Sequence, residues 1–381
     1  MKDLSESRVL IVDDVKANVD LLVHALRDDY KLSVALNGEA ALRSVEKSPP
    51  DLLLLDIVMP GIDGYEVCRR LRSDAGTREL PIMFLNSLED VTDKTRGFEA
   101  GGNDYLTKPF EILEVKARVR SLLKAKAYSD EIKERIAAEL RIAREIQMGL
   151  LPEDVAAVTQ KSGLDIACLI EPAMAIGGDF YDVIRLEDGR VLVVVADVSG
   201  KGIPAALFMA VTMTLIRTAA RQFSAPDEIA RQVNTALSAN NPRGMYATLF
   251  CCIVDTAKMT LCCVNAGHPS PVLLRPGEAP SLPFDSTSSP IGMFDTLSVE
   301  VQRVDLRPGD GVVMYSDGVS EAFDAAGETF ELEDLIACLA PAAGKSAASM
   351  TSGLREAVRM HVGSHPQSDD ITILALACPI A

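Results

Sequence analysis

Asp51-Leu-Leu-Leu-Leu-Asp56-Ile-Val-Met-Pro60-Gly61 decides how the first third of this chain folds. Four consecutive leucines suit a strand covered on both faces, and the run stops on an acid followed by a Pro-Gly turn. On either side of it the same pattern returns. Arg8-Val-Leu-Ile-Val12 ends in Asp13-Asp14, Leu80-Pro-Ile-Met-Phe-Leu85 is a third apolar run, and Asp104-Tyr-Leu-Thr-Lys108 closes the series. Between the runs lie helix-length stretches, such as Asn18–Asp28 and Gly64–Ser73, with apolar residues three and four apart. Strands separated by helices predict a parallel sheet covered on both faces. Functional groups of such sheets collect at the carboxyl ends of the strands, which here hold Asp13, Asp14, Asp56, Asn86 and Lys108.

Three carboxylates at neighbouring strand ends repel one another unless a cation sits among them. Asp13, Asp14 and Asp56 are therefore candidate ligands of one Mg²⁺, and Lys108 brings a positive charge to the place a phosphoryl group would take. Residues 5–125 resemble a two-component receiver domain through Val12-Asp13-Asp14, Leu55-Asp56-Ile-Val-Met-Pro60-Gly61 and Lys108-Pro109-Phe110. The resemblance implies a doubly wound, five-stranded parallel sheet. It also implies that Asp56 accepts phosphate from a histidine kinase, and that Asp13, Asp14, Asp56 and the Val58 carbonyl bind Mg²⁺. Asn86, Tyr105 and Lys108 are the implied switch residues. Asn86 stands where the family carries a Ser or Thr hydroxyl, with Ser87 next to it; an Asn side chain can still donate to phosphate.

Residues 111–150 have no Gly or Pro before Gly149, are dense in charge, and set Ile132, Ile136, Leu140, Ala143 and Leu150 on one helical stripe. Such a narrow stripe suits a second helix, so residues 126–151 are expected to form a helical linker that pairs as a dimeric coiled coil. The alternative is a solvated helix that packs on its own chain.

From Ser162 onward short strands dominate: Leu164–Ile170, Arg190–Val198, Ala247–Asp255, Met259–Asn265, Pro271–Leu274 and Gly311–Ser316. Asp255-Thr-Ala-Lys reads as a hairpin turn, and helices are expected at Pro204–Ala220, Ala225–Ala239 and Leu332–Leu339. This is the pattern of an α+β domain with mostly antiparallel sheets. Four aspartate sites recur where an apolar strand meets Gly or a turn. They are Gly177-Gly178-Asp179-Phe-Tyr-Asp182, Ala196-Asp197-Val198-Ser199-Gly200-Lys201-Gly202, Tyr315-Ser316-Asp317-Gly318 and Ser368-Asp369-Asp370-Ile-Thr372. One such site would be read as a turn; four in one domain suggest carboxylates converging on hard divalent cations, which favour oxygen ligands. His268 reads as a structural brace, and His361 and His365 have no zinc-like partners.

These stretches, with Ala143-Arg-Glu-Ile-Gln147, Leu150-Leu-Pro152 and Asn265-Ala-Gly-His-Pro269, resemble a metal-dependent type 2C protein phosphatase of the SpoIIE-like branch. The resemblance implies that residues 152–381 form two antiparallel sheets, a β-sandwich flanked by helices. Asp179, Asp197, Asp317 and Asp370 are the implied catalytic residues, holding two Mn²⁺ or Mg²⁺ together with the Val198 carbonyl. Asp197 would be shared by both ions, Asp179 would support one, and Asp317 and Asp370 would hold the other. Asp182 and Asp369 would be outer or structural. Eukaryotic members carry a histidine two residues after the shared aspartate; Ser199 stands there in this chain.

The function expected is a response regulator whose output dephosphorylates phosphoserine or phosphothreonine on a regulatory protein, such as an anti-sigma-factor antagonist. A non-catalytic adaptor with the same fold is the alternative. With 38 basic against 55 acidic residues, a formal charge of −17 argues against nucleic acid as a partner. The apolar runs fall short of a membrane span, and Met1-Lys-Asp-Leu-Ser-Glu-Ser carries no apolar leader, so the expected location is the cytoplasm. Eight cysteines without Cys-x-x-Cys spacing read as reduced packing residues. The doublets Cys251-Cys252 and Cys262-Cys263 are each expected to turn one thiol to a core.

Overall fold

The computed structural model describes residues 3–86, 99–152 and 154–378. The chain divides into two compact units, Met1–Ala138 and Glu139–Ala381. The first is a five-stranded parallel sheet in the order β2-β1-β3-β4-β5. Its strands are β1 (Arg8–Val12), β2 (Lys31–Ala35), β3 (Leu52–Asp56), β4 (Ile82–Asn86) and β5 (Asp104–Thr107). Helices α1 (Lys16–Leu26), α2 (Gly38–Lys47) and α3 (Gly64–Ser73) join them. Asn37 and Asp63 start α2 and α3 by accepting the Ala40 and Glu66 amides. The winding direction reverses between β1 and β3, so their carboxyl ends flank the crevice where such sheets bind ligands. Alternate residues of each strand enter opposite cores: Leu53 and Leu55 face one, Leu52 and Leu54 the other. β2 leaves little mark in the sequence, because as an edge strand it fully buries only Ala35 and half-buries Leu32, the rest being exposed.

Helix α4 runs from Ile112 to Leu150 as one element. Val115, Val119 and Leu123 at its start are buried in the first unit's core. Ile132, Ile136, Ile142 and Ile146 farther along are exposed. No helix among the described residues is long and apolar enough to cross a membrane.

The second unit stacks two antiparallel sheets. One has the order β12-β10-β9-β8-β7 and the other β11-β13-β14-β6. Their strands are β6 (Asp165–Glu171), β7 (Phe180–Arg185), β8 (Val191–Val198), β9 (Ala247–Asp255), β10 (Thr260–Ala266), β11 (Val272–Leu274), β12 (Gln302–Asp305), β13 (Gly311–Tyr315) and β14 (Ile371–Ala377). Val191, Val193 and Val195 pack between the sheets against Val312, Met314, Leu374 and Leu376. Leu192, Val194 and Ala196 pack outward against α6 (Ile203–Ala219) and α7 (Pro226–Ser238). The other sheet is covered by α9 (Leu332–Leu339) and α10 (Ala347–Val362). A short helix α5 (Val155–Ser162) precedes β6, and a single turn, α8 (Asp317–Ser320), follows β13. At the β9–β10 hairpin, Asp255 accepts the Ala257 and Lys258 amides, as the turn reading required.

One expectation is corrected here. Cys251 and Cys252 are both fully buried, one in each core, because the sheet is covered on both faces; only the second doublet splits into a buried Cys263 and a partly exposed Cys262. All eight thiols are free, and burial pushes Cys251 and Cys252 well above the ordinary thiol range.

Candidate functional site

Two acidic sites emerge, one in each unit. In the first, Asp13, Asp14 and Asp56 bring carboxylate oxygens within 4.8 Å of one another at the ends of β1 and β3. Lys108 Nζ lies 2.8 Å from Asp13 Oδ2 and 2.8 Å from Asp56 Oδ2. Asp13 is held from behind by the Val15 amide and the Asn18 side chain, leaving Asp14 exposed at the rim. Burial raises the Asp56 carboxyl above its ordinary value; Lys108 opposes that rise and the Asp13 charge adds to it. Burial also works against the Lys108 charge, but the two carboxylates outweigh it and hold the ammonium protonated. Asn86 is buried at the end of β4, where its carbonyl accepts the Lys108 amide at 2.6 Å. Tyr105 is half-buried on β5 and Val58 is exposed in the loop after β3. Ser87 lies outside the described residues. Three converging carboxylates, two of them buried, are the donor set that a hard divalent cation requires.

The second site forms where the two sheets of the sandwich end. Asp197 follows Val191, Val193 and Val195 in the two-residue alternation of β8, so it lies on the face between the sheets. From the opposite sheet, β13 ends at Tyr315 with Asp317 just beyond, and β14 begins beside Asp369 and Asp370. Ser316 knits these ends together: its hydroxyl donates to the Asp370 carbonyl at 3.1 Å and accepts the Thr372 amide at 2.9 Å. Asp179 enters from the loop before β7 and is 2% exposed, with its Oδ2 buried and without a hydrogen-bond partner. Close packing demands glycine here. A side chain on Gly318 would stand 2.0 Å from the Asp370 carbonyl, and one on Gly177 would stand 2.1 Å from Asp370 Oδ2.

The cluster carries unbalanced negative charge. Burial and the charge of Asp317 push Asp197 up to about 7. Burial, Glu321 and Asp369 push Asp317 up to about 6. Asp179 is raised well above the carboxylate range by burial and by the charge of Asp197. An orphaned buried oxygen among mutually repelling carboxylates fits divalent cations. The Val198 carbonyl also faces this loop, 2.9 Å from where a side chain on Gly178 would begin.

Asp369 and Asp370 take different partners. Both carboxylate oxygens of Asp370 accept backbone amides, Oδ1 from Ala173 at 2.8 Å and Oδ2 from Gly178 at 2.7 Å, so this residue ties β14 to the Asp179 loop. Asp369 is the more open of the two; its Oδ1 takes the Asp370 amide and its Oδ2 meets Lys201 Nζ at 2.7 Å. Asp182 is buried against Arg217. His268 braces the floor: its Nδ1 lies 2.9 Å from Thr248 Oγ1, beside Asp197 in the sheet register, and burial drives it down to about 3. Gln147 carries a contact that no sequence reading assigned. Its amide pairs with both backbone groups of Gly177, at 2.6 and 3.2 Å, two residues from Asp179. The visible hint was its place in Ala143-Arg-Glu-Ile-Gln147, one of the stretches that carry the phosphatase resemblance.

Residues 187–379, more than half of the chain, match the family described as Stage II sporulation protein E (SpoIIE), and residues 9–120 match the response regulator receiver domain. The first unit is similar to the response regulator PleD of Caulobacter vibrioides, 42% identical over 137 residues, which is 36% of this chain and 30% of that protein. Protein IcfG of Synechocystis sp. is 27% identical over 399 aligned positions, covering 96% of this chain and 58% of IcfG. The chain thus spans less than two thirds of the length of either relative. Among solved structures, the SiaA-PP2C domain of Pseudomonas aeruginosa aligns with a TM-score of 0.58 at 24% identity, over 65% of this chain and 98% of that one, a likeness of fold.

Proposed function

The chain belongs to the SpoIIE family and carries a receiver unit ahead of that domain, and on this premise we propose that it is a cytoplasmic, metal-dependent protein serine/threonine phosphatase controlled by phosphorylation of Asp56. In this reading residues 5–125 receive the signal, residues 126–151 transmit it, and residues 152–381 hydrolyse the phosphate ester. The observation that carries it is the gathering of Asp179, Asp197, Asp317 and Asp369 at one end of the sandwich, with Asp179 Oδ2 orphaned and the carboxyl groups raised.

Asp197, Asp179 and the Val198 carbonyl would hold one ion and Asp197, Asp317 and Asp369 the other, with Asp370 fixing the loop that delivers Asp179. Bound there, two Mn²⁺ or Mg²⁺ would acidify a water and offset the charge of the phosphoryl group. Asp197 contributes most by its place on the shared face of β8, where both sets of carboxylates reach it. The substrate proposed is a phosphorylated regulatory protein such as an anti-sigma-factor antagonist.

In the receiver unit, Asp56 would take the phosphoryl group from a histidine kinase, with Asp13, Asp14 and the Val58 carbonyl holding Mg²⁺. Lys108 is placed to neutralise the phosphoryl charge, and Asn86 and Tyr105 would register the change. Transmission is proposed to run through α4 as a homodimer, its exposed Ile132 and Ile136 meeting a second copy. The paired amide of Gln147 on Gly177 supports α4 as the element that reaches the metal loop.

Hydrolysis of p-nitrophenyl phosphate and of a phosphoserine protein, with Mn²⁺ and then with chelator, tests the reading. Turnover that depends on Mn²⁺ is expected. A protein that binds no Mn²⁺ and releases no phosphate would overturn it.

A further inference from the structure

A phosphate monoester enters any such site as a dianion, and the walls here are carboxylates. The ions would offset part of that charge, and a cation of the chain placed at the mouth would offset more. Ser199, two residues after Asp197, carries no charge and is tied to Tyr246: its hydroxyl accepts the Tyr246 amide at 3.0 Å while its own amide donates to the Tyr246 carbonyl at 2.8 Å. Lys201 is differently placed. Gly200 and Gly202 on either side of it adopt positive φ of 86° and 72°, which folds the loop back across the end of the sandwich. Its ammonium donates to the Ser368 carbonyl at 2.7 Å and pairs with Asp369 Oδ2 at 2.7 Å. An ammonium has three donors, so one remains, on a side chain that is 50% exposed. The field of Lys201 also reaches Asp317. Two residues farther on, α6 begins without a side-chain cap, adding the positive end of a 17-residue helix to the same loop.

Resting on the phosphatase reading above, we propose that Lys201 is a catalytic residue that binds the phosphoryl oxygens of the substrate. In the free site it is parked on Asp369, the carboxylate a cation would otherwise occupy. With Asp369 engaged by a cation, the ammonium would leave that pairing, and the Ser368 carbonyl would keep it at the mouth with donors available to the incoming dianion. Charge-assisted hydrogen bonds to phosphate are among the stronger contacts a side chain makes. Lysine serves this role as a mobile point charge, which suits a residue that must change partners.

This assignment separates Lys201 from a mere brace by the sign of its effect on metal. A lysine that competes with ions for Asp369 should, when removed, leave Mn²⁺ affinity unchanged or tighter. A brace should, when removed, loosen it. The experiment uses the full chain, with calorimetric titration of Mn²⁺ and then of inorganic phosphate into the Mn²⁺-loaded protein, for wild type, Lys201→Met and Lys201→Arg. The expected result is phosphate binding at least about tenfold weaker in Lys201→Met, a smaller loss in Lys201→Arg, and Mn²⁺ affinity equal to or above wild type in both. Phosphate bound as tightly by Lys201→Met as by wild type overturns the inference, and so does a parallel loss of Mn²⁺ affinity. Either result leaves the phosphatase reading standing. A wild-type protein that binds no Mn²⁺ sinks that reading first, and this inference with it.

Discussion

Replacing Arg217 by methionine should loosen the second unit where the end of α4 is fastened to it. Arg217 Nε lies 2.6 Å from Asp182 Oδ2, and its Nη2 lies 3.3 Å from Asp182 Oδ1 and 2.8 Å from the Leu150 carbonyl. Methionine keeps much of the apolar stem but removes all three contacts. Asp182 would be left with the Val183 amide alone, its side chain only 2% exposed. Breaking a fully buried ion pair from one side costs about 3–5 kcal/mol. Arg217 is 36% exposed, so water shares its charge and the cost falls to about 2–3 kcal/mol. Urea unfolding followed by far-UV circular dichroism reads this as a shift of the second unit's transition. Adding Asp182→Asn to the variant removes the stranded charge and should recover about 1 kcal/mol or more. A single variant that loses less than about 0.5 kcal/mol, or a double variant less stable than the single, would refute the pairing as the fastening of this junction.

Asp56→Asn should abolish labelling by acetyl phosphate while basal phosphatase activity persists, because the metal cluster lies in the other unit; acid-labile label on the variant would put the acceptor elsewhere. Glutamate at both Ile136 and Leu140 should weaken dimerisation in analytical ultracentrifugation and detach activity from Asp56 without removing basal turnover, and a wild type that is monomeric at micromolar concentration counts against the helix pair. Asp369→Asn should cost Mn²⁺ affinity at least about tenfold with the fold kept, whereas Asp370→Asn should lower the melting temperature, because an NH2 donor replaces one of the two carboxylate oxygens that accept backbone amides; equal behaviour of the two in both assays would undo their distinction. The cluster also sets a pH dependence. Asp197 and Asp317 titrate near 7 and 6 in the fold, above their ordinary 3.8, so chelated protein should lose stability as pH rises from 5 to 8, and Mn²⁺ should offset that loss. A chelated melting temperature that climbs over that range contradicts the raised carboxyl groups.

The sequence by itself determined what is local. Runs such as Leu52–Leu55 and Val191–Val195 are buried on both faces and so read as strands without knowledge of their neighbours. The acids that end them, Asp13, Asp56 and Asp197, inherit their position from strand direction alone. Edge strands such as β2 and β12 bury little, and therefore left little pattern. Tertiary structure decided whatever depends on two distant segments meeting. Asp369 and Asp370 are neighbours of identical chemistry; the amides of Ala173 and Gly178, nearly two hundred residues away, claim one and leave the other to Lys201. Gln147 looks like any polar helix residue until Gly177 folds onto it. Cys251 and Cys252 could be told apart from an exposed pair only once helices covered one face of β9 and a second sheet the other. Strand periodicity is written in consecutive residues, but the partner of a buried polar group is chosen by a backbone that no short window contains.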